Sequence, residues 1–180
     1  MKDVVYKLRI LSDEIDGFIR DVEILGNQTF FDLHNLIQED LNWDSSQMAS
    51  FFISNSEWEK LREVTLFEMD IEDETDSVVM DVATMEEFLK DEKQRLLYIY
   101  DLFSERLLFI ELIDKHPVIE SKKYPYVANR IGEGPEQLVL NDDIIMPSES
   151  AEPSIEDVLG DLGDPDEEDM RFENIDDYDL

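Results

Sequence analysis

The sequence predicts an α+β domain in which one main helix packs on a face of a mixed β-sheet and a β-hairpin closes the fold. Residues 4–11 and 18–25 alternate polar and apolar side chains, the pattern of half-buried strands. Residues 29–42 repeat apolar side chains at helical spacing. Residues 96–113 (LLYIYDLFSERLLFIELI) form the most apolar stretch and favour a hairpin at the centre of the sheet.

The first two strands predict their own register. Paired as a hairpin around residues 13–17, they place apolar residues together on one face and opposite charges together on the other. The predicted pairs are Leu8 with Val22, Tyr6 with Ile24, Arg9 with Asp21 and Lys7 with Glu23. Burial and charge therefore specify the same hairpin.

Caps and spacing predict the elements that follow. Thr29, with Asp32 three residues later, begins the main helix, and Asn42 ends it. The further predicted elements are a strand over 47–54, a helical turn from Ser56 carrying Trp58, a strand over 63–69 and a short helix over 85–90. The opening strand–strand–helix–strand order resembles the β-grasp arrangement by analogy alone. The residues after the closing hairpin are predicted to be rich in loops.

The negative charge is unevenly distributed along the 180 residues. The chain has 15 basic and 47 acidic residues, a net charge of −32. Residues 141–180 hold 16 acidic residues, three prolines and Arg171 as their one basic residue. Such a segment buries too little apolar surface to offset the entropy of ordering it. We therefore predict a domain over residues 1–140 and an acidic, disordered tail over 141–180.

Composition excludes several kinds of chemistry. The chain has no cysteine, which excludes disulfides, thiolate metal sites and cysteine nucleophiles. Its negative field repels phosphate backbones and anionic membranes, and favours a basic protein partner, a cation or simple solubility. We find no stretch that suits a signal peptide or a membrane span, so a cytoplasmic protein is expected.

Four stretches of the chain together form a recognisable series: VYKLRI, TFFDLHNLIQEDLNWDSSQMASFFIS, LLYIYDLFSERLLFIEL and KYPYVANRIGEGPEQ. In this order they resemble the root-inducing-plasmid ORF-three-like family. The resemblance covers residues 4–137. This broadly distributed family lacks an established biochemical activity, so the resemblance implies a shared domain and no particular reaction. The helix is similar to the family's Thr-x-x-x-Leu-His-x-x-Ile-Gln pattern, on Thr29, Leu33, His34, Ile37 and Gln38.

The central hairpin departs from the family pattern. It resembles Tyr-x-Tyr-Asp-Phe-Gly-Asp-x-Trp-x-His and keeps Tyr98, Tyr100 and Asp101. The family's Phe, Gly, Asp, Trp and His are replaced by Leu102, Phe103, Ser104, Arg106 and Leu108. The resemblance therefore implies no metal or acid–base role for the polar positions of this hairpin.

Asp101 and His34 are the two side chains with a catalytic interpretation. Burial on an apolar strand would raise the pKa of Asp101 and suit it to acid–base work. The favoured interpretation is a strand-end carboxylate that accepts backbone N–H groups from the following turn. His34 has no recognisable nucleophile or orienting partner, so we predict a packed histidine bonded to a neighbouring group. Two histidines without cysteine do not favour a catalytic zinc site.

The acidic stretch over residues 70–81 (DIEDETDSVVMD) has the oxygen density of a calcium loop. Calcium loops also need glycine at the sixth position and favour glutamate at the twelfth. Thr75 and Asp81 occupy these positions. The stretch is therefore predicted to be a solvated loop without a bound metal.

The tail carries apolar residues among its acids, and this pattern indicates a role in binding. Residues 154–157 (SIED) suit a helix start, and acidic segments of this kind fold onto partner surfaces. The alternative is a solubilising tail whose apolar residues cover its own domain. The predicted partner contacts are Ile155, Leu159, Phe172, Ile175 and Tyr178.

The sequence thus predicts a non-enzymatic protein-interaction module without a cofactor, whose acidic tail contacts a protein with a basic surface. Two alternatives stay open. An acidic nucleic-acid mimic, inhibiting a basic DNA- or RNA-binding protein, would line the domain with carboxylates at phosphate-like intervals. An enzyme using carboxylates alone would need a pocket holding two acids of divergent pKa. Neither direct nucleic-acid contact nor membrane contact is expected.

Overall fold

The computed structural model describes residues 3–68, 77–91 and 93–138, and within them the chain forms one mixed sheet and two helices. In chain order the elements are β1 (Val4–Ser12), β2 (Ile19–Leu25), α1 (Phe30–Asp40), β3 (Ser50–Ser54), β4 (Lys60–Thr65), β5 (Val78–Val79), α2 (Met85–Phe88), β6 (Arg95–Asp101), β7 (Arg106–Pro117) and β8 (Tyr126–Ile131). The predicted α+β fold with a mixed sheet is confirmed.

The described residues belong to the first of the two units into which the chain divides, Met1–Val139. The second unit, Leu140–Leu180, lies outside the described residues. The domain boundary at residue 140 and the disorder of residues 141–180 therefore stay predictions.

Within the described part, eight strands lie in the order β5-β4-β3-β6-β7-β1-β2-β8. The β4–β5 pair is parallel, and the other neighbouring pairs are antiparallel. The β6–β7 hairpin occupies the two central positions, as its apolar sequence predicts. It does not end the fold, because β8 follows it and pairs with β2 at the sheet edge. The β-grasp analogy is not confirmed.

The β1–β2 hairpin has the predicted register. Its observed pairs include Leu8 with Val22, Tyr6 with Ile24, Arg9 with Asp21 and Lys7 with Glu23. The first two pairs are buried in the core. On the opposite face, Arg9 donates two hydrogen bonds to the carboxylate of Asp21, at 2.7 and 3.0 Å. A slip by one residue would exchange the two faces, so burial and ion pairing fix the same register.

Helix α1 begins and ends where its caps predict. The Thr29 hydroxyl accepts the Asp32 N–H at 3.2 Å, and the Asp32 carboxylate accepts the Thr29 N–H at 2.9 Å. Asn42, just after the helix, has a φ of 53°, in the left-handed region that often follows a helix. Phe30, Leu33 and Ile37 are buried in the core shared with the sheet. One main helix therefore packs on a face of the sheet, as predicted.

The first-turn N–H groups of α1 donate to carbonyls in the segment before α2. Those of α2 donate to carbonyls in the segment before α1. The four bonds join Phe30 N to Ala83 O (2.9 Å), Phe31 N to Met80 O (3.0 Å), Met85 N to Gln28 O (2.9 Å) and Glu86 N to Gly26 O (2.8 Å). A helix N-terminus leaves such donors without partners inside the helix. Each helix start thus depends on the segment before the other. Helix α2 ends at Phe88, earlier than the predicted residue 90.

The predicted helical turn carrying Trp58 is wrong, because residues 55–59 form the turn between β3 and β4. The Asn55 Oδ1 accepts the N–H groups of Glu57 and Glu59, at 3.0 and 2.9 Å. Trp58 has a φ of 65°, which a helix does not allow. These local bonds to Asn55 compete with a helix start. β4 begins at Lys60, directly after this turn and before the predicted start at residue 63. β3 begins at Ser50, after its predicted start at residue 47.

Arg20 holds β8 against the sheet. The prediction of a loop-rich end had missed this strand. Its Nη1 donates to the carbonyls of Ile131 and Gly132, at 2.9 and 3.0 Å. Its Nε donates to Asp40 Oδ2 at the end of α1, at 2.7 Å. The pair is buried, with side-chain exposures of 10% for Arg20 and 4% for Asp40. One guanidinium therefore joins β2, β8 and α1.

Candidate functional site

Two predicted functional segments lie outside the described residues. The predicted partner contacts Ile155, Leu159, Phe172, Ile175 and Tyr178 all follow residue 138, where the description ends. Residues 70–76 of the acidic stretch are also outside. Both segments stay predictions, but the predicted solvated loop is wrong at its end, because Val78 and Val79 form β5 and Met80 is buried in the core. The described residues contain no group of three or more histidine or acidic side chains that could hold a metal ion.

Asp101 is a turn-forming carboxylate, as its favoured interpretation predicts. Its Oδ1 accepts the backbone N–H groups of Phe103 and Ser104, at 3.0 and 3.1 Å. The hydrogen bond from Ser104 is the main cause that lowers the pKa of Asp101 below its ordinary value. General acid catalysis would need the opposite shift. Asp101 therefore fixes the turn between β6 and β7.

His34 belongs to a buried series of three polar side chains. The Tyr98 hydroxyl accepts a hydrogen bond from Gln38 Nε2 at 2.7 Å and lies 2.8 Å from His34 Nδ1. In this arrangement the hydroxyl donates to Nδ1, and the neutral imidazole carries its proton on Nε2. Burial lowers the pKa of His34 from 6.5 to about 4 and raises the pKa of Tyr98. The predicted packed and bonded histidine is confirmed.

The described carboxyl groups with a shifted pKa are all shifted towards the ionised form. They are Glu14, Asp21, Glu23, Asp44 and Asp101. Hydrogen bonds from Arg106 and Arg9 lower the pKa of Glu14 and of Asp21, respectively. Burial opposes the shift at Glu23, but hydrogen bonds from Tyr126 and Lys122 outweigh it. None of these groups is a carboxylic acid held protonated near neutral pH.

Three segments far apart in sequence meet at one end of the sheet, which we call the hairpin end: residues 11–17, 101–107 and 133–138. Arg106 joins them. Its Nε and Nη2 donate to the carboxylate of Glu14, at 2.8 and 2.7 Å. Its Nη1 and Nη2 also donate to the backbone carbonyls of Gln137 and Glu136, at 3.0 and 2.7 Å.

The hairpin end is strongly acidic. It contains seven acidic residues, Asp13, Glu14, Asp16, Asp101, Glu105, Glu133 and Glu136, and a single basic residue, Arg106. The guanidinium of Arg106 is largely buried, with a side-chain exposure of 12%, and lies 5.0 Å from the centre of the Tyr100 ring. Its charge is therefore directed inward, towards Glu14 and the carbonyls. Lys60 of β4, outside the three segments, pairs with Glu105 at 3.3 Å. With seven acids against these two cations, the charge that the hairpin end presents to solvent is negative.

Phe103 stands at the tip of the hairpin end and is fully exposed. Among the other large apolar side chains in the described residues, the most exposed is Val82, at 68%. Leu102 beside Phe103 is 41% exposed, and Leu138 in the third segment is 52% exposed. The hairpin end therefore combines an acidic surface with protruding apolar side chains.

Sequence reasoning missed the hairpin end. Its acids lie in three groups separated by more than twenty residues each, and none of the groups is unusual in so acidic a chain. The signal that could have indicated it was the turn itself, because Asp101 was correctly predicted to accept N–H groups from the residues that follow. Those residues include Phe103, which a turn at the sheet end exposes.

The fold and this surface define an α+β domain with a mixed sheet and an acidic hairpin end. The chain belongs to the plasmid pRiA4b ORF-3-like protein family, whose model matches residues 4–178. The resemblance over residues 4–137 is confirmed, and the match continues beyond it through most of the acidic segment. Across the described residues, the helices are too short or too polar to cross a membrane.

A solved structure supports the fold. The crystal structure of a protein of unknown function from Methanosarcina mazei Go1 is similar to this chain with a TM-score of 0.59. The two sequences are 23% identical, and the similarity covers 72% of this chain and 70% of that chain. This likeness shows a shared fold. The comparison with curated proteins found no match.

Proposed function

We propose that this chain is a non-enzymatic, cytoplasmic protein-interaction module that binds a protein partner with a basic surface. The observation that carries the proposal is the charge of the hairpin end, with seven acidic residues and one inward-facing arginine. A surface of one sign steers a partner of opposite sign and raises the association rate. The folded domain itself thus offers a contact, in addition to the contacts proposed for the tail.

The ionisation of the hairpin end supports this function over carboxylate catalysis. Hydrogen bonds lower the pKa values of Glu14 and Asp101, so both groups stay charged at neutral pH. A carboxylate-only enzyme needs one acid that stays protonated while its neighbour is ionised. A binding surface needs only that the charges persist, and Glu14 and Asp101 meet this condition.

The test compares the full-length chain with two triple variants that change the charge equally. The first removes acids of the hairpin end: Asp13→Asn, Asp16→Asn and Glu136→Gln. The control removes exposed acids elsewhere: Glu57→Gln, Glu87→Gln and Glu120→Gln. Each protein is immobilised to capture partners from cell extract, and the association rate is then measured with the purified captured protein.

We expect the hairpin-end variant to lower the association rate by about tenfold and the control to lower it less. Raising the salt from about 50 to about 500 mM should remove most of the difference, because the Debye length shrinks. Equal effects of the two variants would reject the hairpin end as the contact. If the unmodified chain captures no protein, the proposed function itself is wrong.

The proposed tail contacts have a separate test. Replacing Phe172, Ile175 and Tyr178 with Ser keeps the charge of the full-length chain and should mainly speed dissociation, because apolar anchors act on off-rates. A nucleic-acid mimic would instead tolerate these changes, lose binding when residues 166–169 are neutralised, and be displaced from its partner by DNA or RNA.

A further inference from the structure

We propose that Phe103, with Leu102 beside it, is the anchor by which the hairpin end enters an apolar pocket framed by Lys and Arg side chains on the partner protein. This inference rests on the proposed function and names the chemistry of the surface that the module recognises.

The exposure of Phe103 is the first argument. A soluble chain commonly leaves single apolar residues partly exposed, but here the whole side chain of a phenylalanine projects into solvent. Leu102 and Leu138 add apolar surface at the same end. Aromatic side chains are enriched in the buried centre of protein interfaces, where they fill pockets.

The rigidity of the turn is the second argument. Asp101 holds the backbone N–H groups of Phe103 and Ser104, and Asp101 lies opposite Arg106 across the β6–β7 hairpin. Arg106 is in turn fixed to Glu14. An anchor presented on an ordered turn loses little backbone freedom on binding, so more of its contact energy appears as affinity.

Charge determines what surrounds the pocket. The carboxylates of the hairpin end flank the anchor, and Glu105, two residues after Phe103, is 72% exposed even though it pairs with Lys60 at 3.3 Å. A partner that receives Phe103 must bring its own surface close to these acids, and only a rim of Lys or Arg side chains complements them. A second copy of this chain would bring the same seven acids, and an anionic membrane would also be repelled.

The test places the photo-crosslinking amino acid p-benzoylphenylalanine at position 103 of the full-length chain. The matched control places it at Phe67, which is 59% exposed in another part of the domain. Irradiation in cell extract is followed by mass spectrometry of the crosslinked peptide. Binding of the captured, purified partner is then measured for the unmodified chain, Phe103→Ser and Phe67→Ser.

We expect crosslinks from position 103 to reach an apolar segment flanked by Lys or Arg, and Phe103→Ser to weaken binding at least about tenfold with Phe67→Ser unchanged. Because Phe103 is exposed, circular dichroism and thermal unfolding of Phe103→Ser should match the unmodified chain.

Unchanged binding by Phe103→Ser would overturn the inference and leave the proposed function in place. So would a crosslink to an acidic surface, a crosslink to a second copy of the chain, or flotation with phosphatidylcholine vesicles that Phe103→Ser abolishes. If the unmodified chain captures no partner, the proposed function and the inference fail together.

Discussion

Mild acid should destabilise the fold through His34. This imidazole is buried, accepts the Tyr98 hydroxyl at Nδ1, and has a pKa lowered from 6.5 to about 4. Between these values the unfolded chain binds a proton at His34 that the folded chain does not bind. The free energy of unfolding therefore falls as the pH falls from 6.5 to about 4, and this contribution is constant above and below that window.

The size of the effect follows from the shift. Each pH unit inside the window costs about 1.4 kcal/mol, so lowering the pH from about 7.5 to about 5.0 should remove about 2 kcal/mol. The lower limit stays above the isoelectric point of about 4.1, where the protein would lose its solubilising charge. For a domain of this size, such a loss is a large part of the total stability.

The assay compares urea unfolding of the wild type and His34→Asn at both pH values. The Asn carbonyl can still accept the Tyr98 hydroxyl but does not titrate. The effects of acid on all other groups are common to both proteins and cancel in the difference. We expect the wild type to lose about 2 kcal/mol more than the variant on acidification. Equal losses would refute the assignment of a buried, neutral His34.

Three further predictions concern stability. Arg20→Met should cost about 2 kcal/mol in urea unfolding, because it removes the buried bonds of Arg20 to Asp40 and to the carbonyls of Ile131 and Gly132, while Arg130 still pairs with Asp40. Lys60→Met, in an exposed pair with Glu105, should cost under about 1 kcal/mol, and similar costs for the two variants would contradict this account. Leu8→Asp should prevent folding, as judged by circular dichroism, and Lys7→Asp should be mild; the reverse order would mean that the hairpin faces are assigned backwards. A chain truncated after residue 140 should still unfold cooperatively on heating, and loss of a single transition would move the domain boundary.

The parts of the fold that the sequence predicted correctly are specified by two independent local signals. The β1–β2 register follows both from apolar alternation and from opposite charges such as Arg9 and Asp21. Helix α1 follows both from its apolar spacing and from the capping pair of Thr29 and Asp32. Because each signal excludes the errors that the other permits, these elements could be placed without tertiary information.

The parts that the sequence did not predict depend on contacts with distant residues. Four of the six residues of β8 are exposed, so the strand has no regular apolar face. Its position depends on pairing with β2 and on the bonds from Arg20 to the carbonyls of Ile131 and Gly132. At the turn that carries Trp58, a helical turn was predicted and does not form, because backbone bonds to the Asn55 side chain outweighed the helix-start pattern.

The candidate site was the hardest feature to predict. Asp101 and His34 could be interpreted correctly from their neighbours in the chain, since a strand end and a helix face determine their surroundings. The hairpin end instead requires the knowledge that residues 11–17 lie beside residues 101–107. That proximity depends on β1 pairing with β7, and no local pattern in either strand identifies the partner.

The reciprocal bonds between the starts of α1 and α2 have a consequence for newly made chains. The N–H groups of Phe30 and Phe31 bond to the carbonyls of Ala83 and Met80, which leave the ribosome later than the helix itself. At about 5–20 residues per second, synthesis of the intervening segment takes roughly 3 to 10 s. Throughout that interval water must serve as the partner of the first turn of α1, so this helix reaches its final hydrogen bonding only after more than eighty residues have been made.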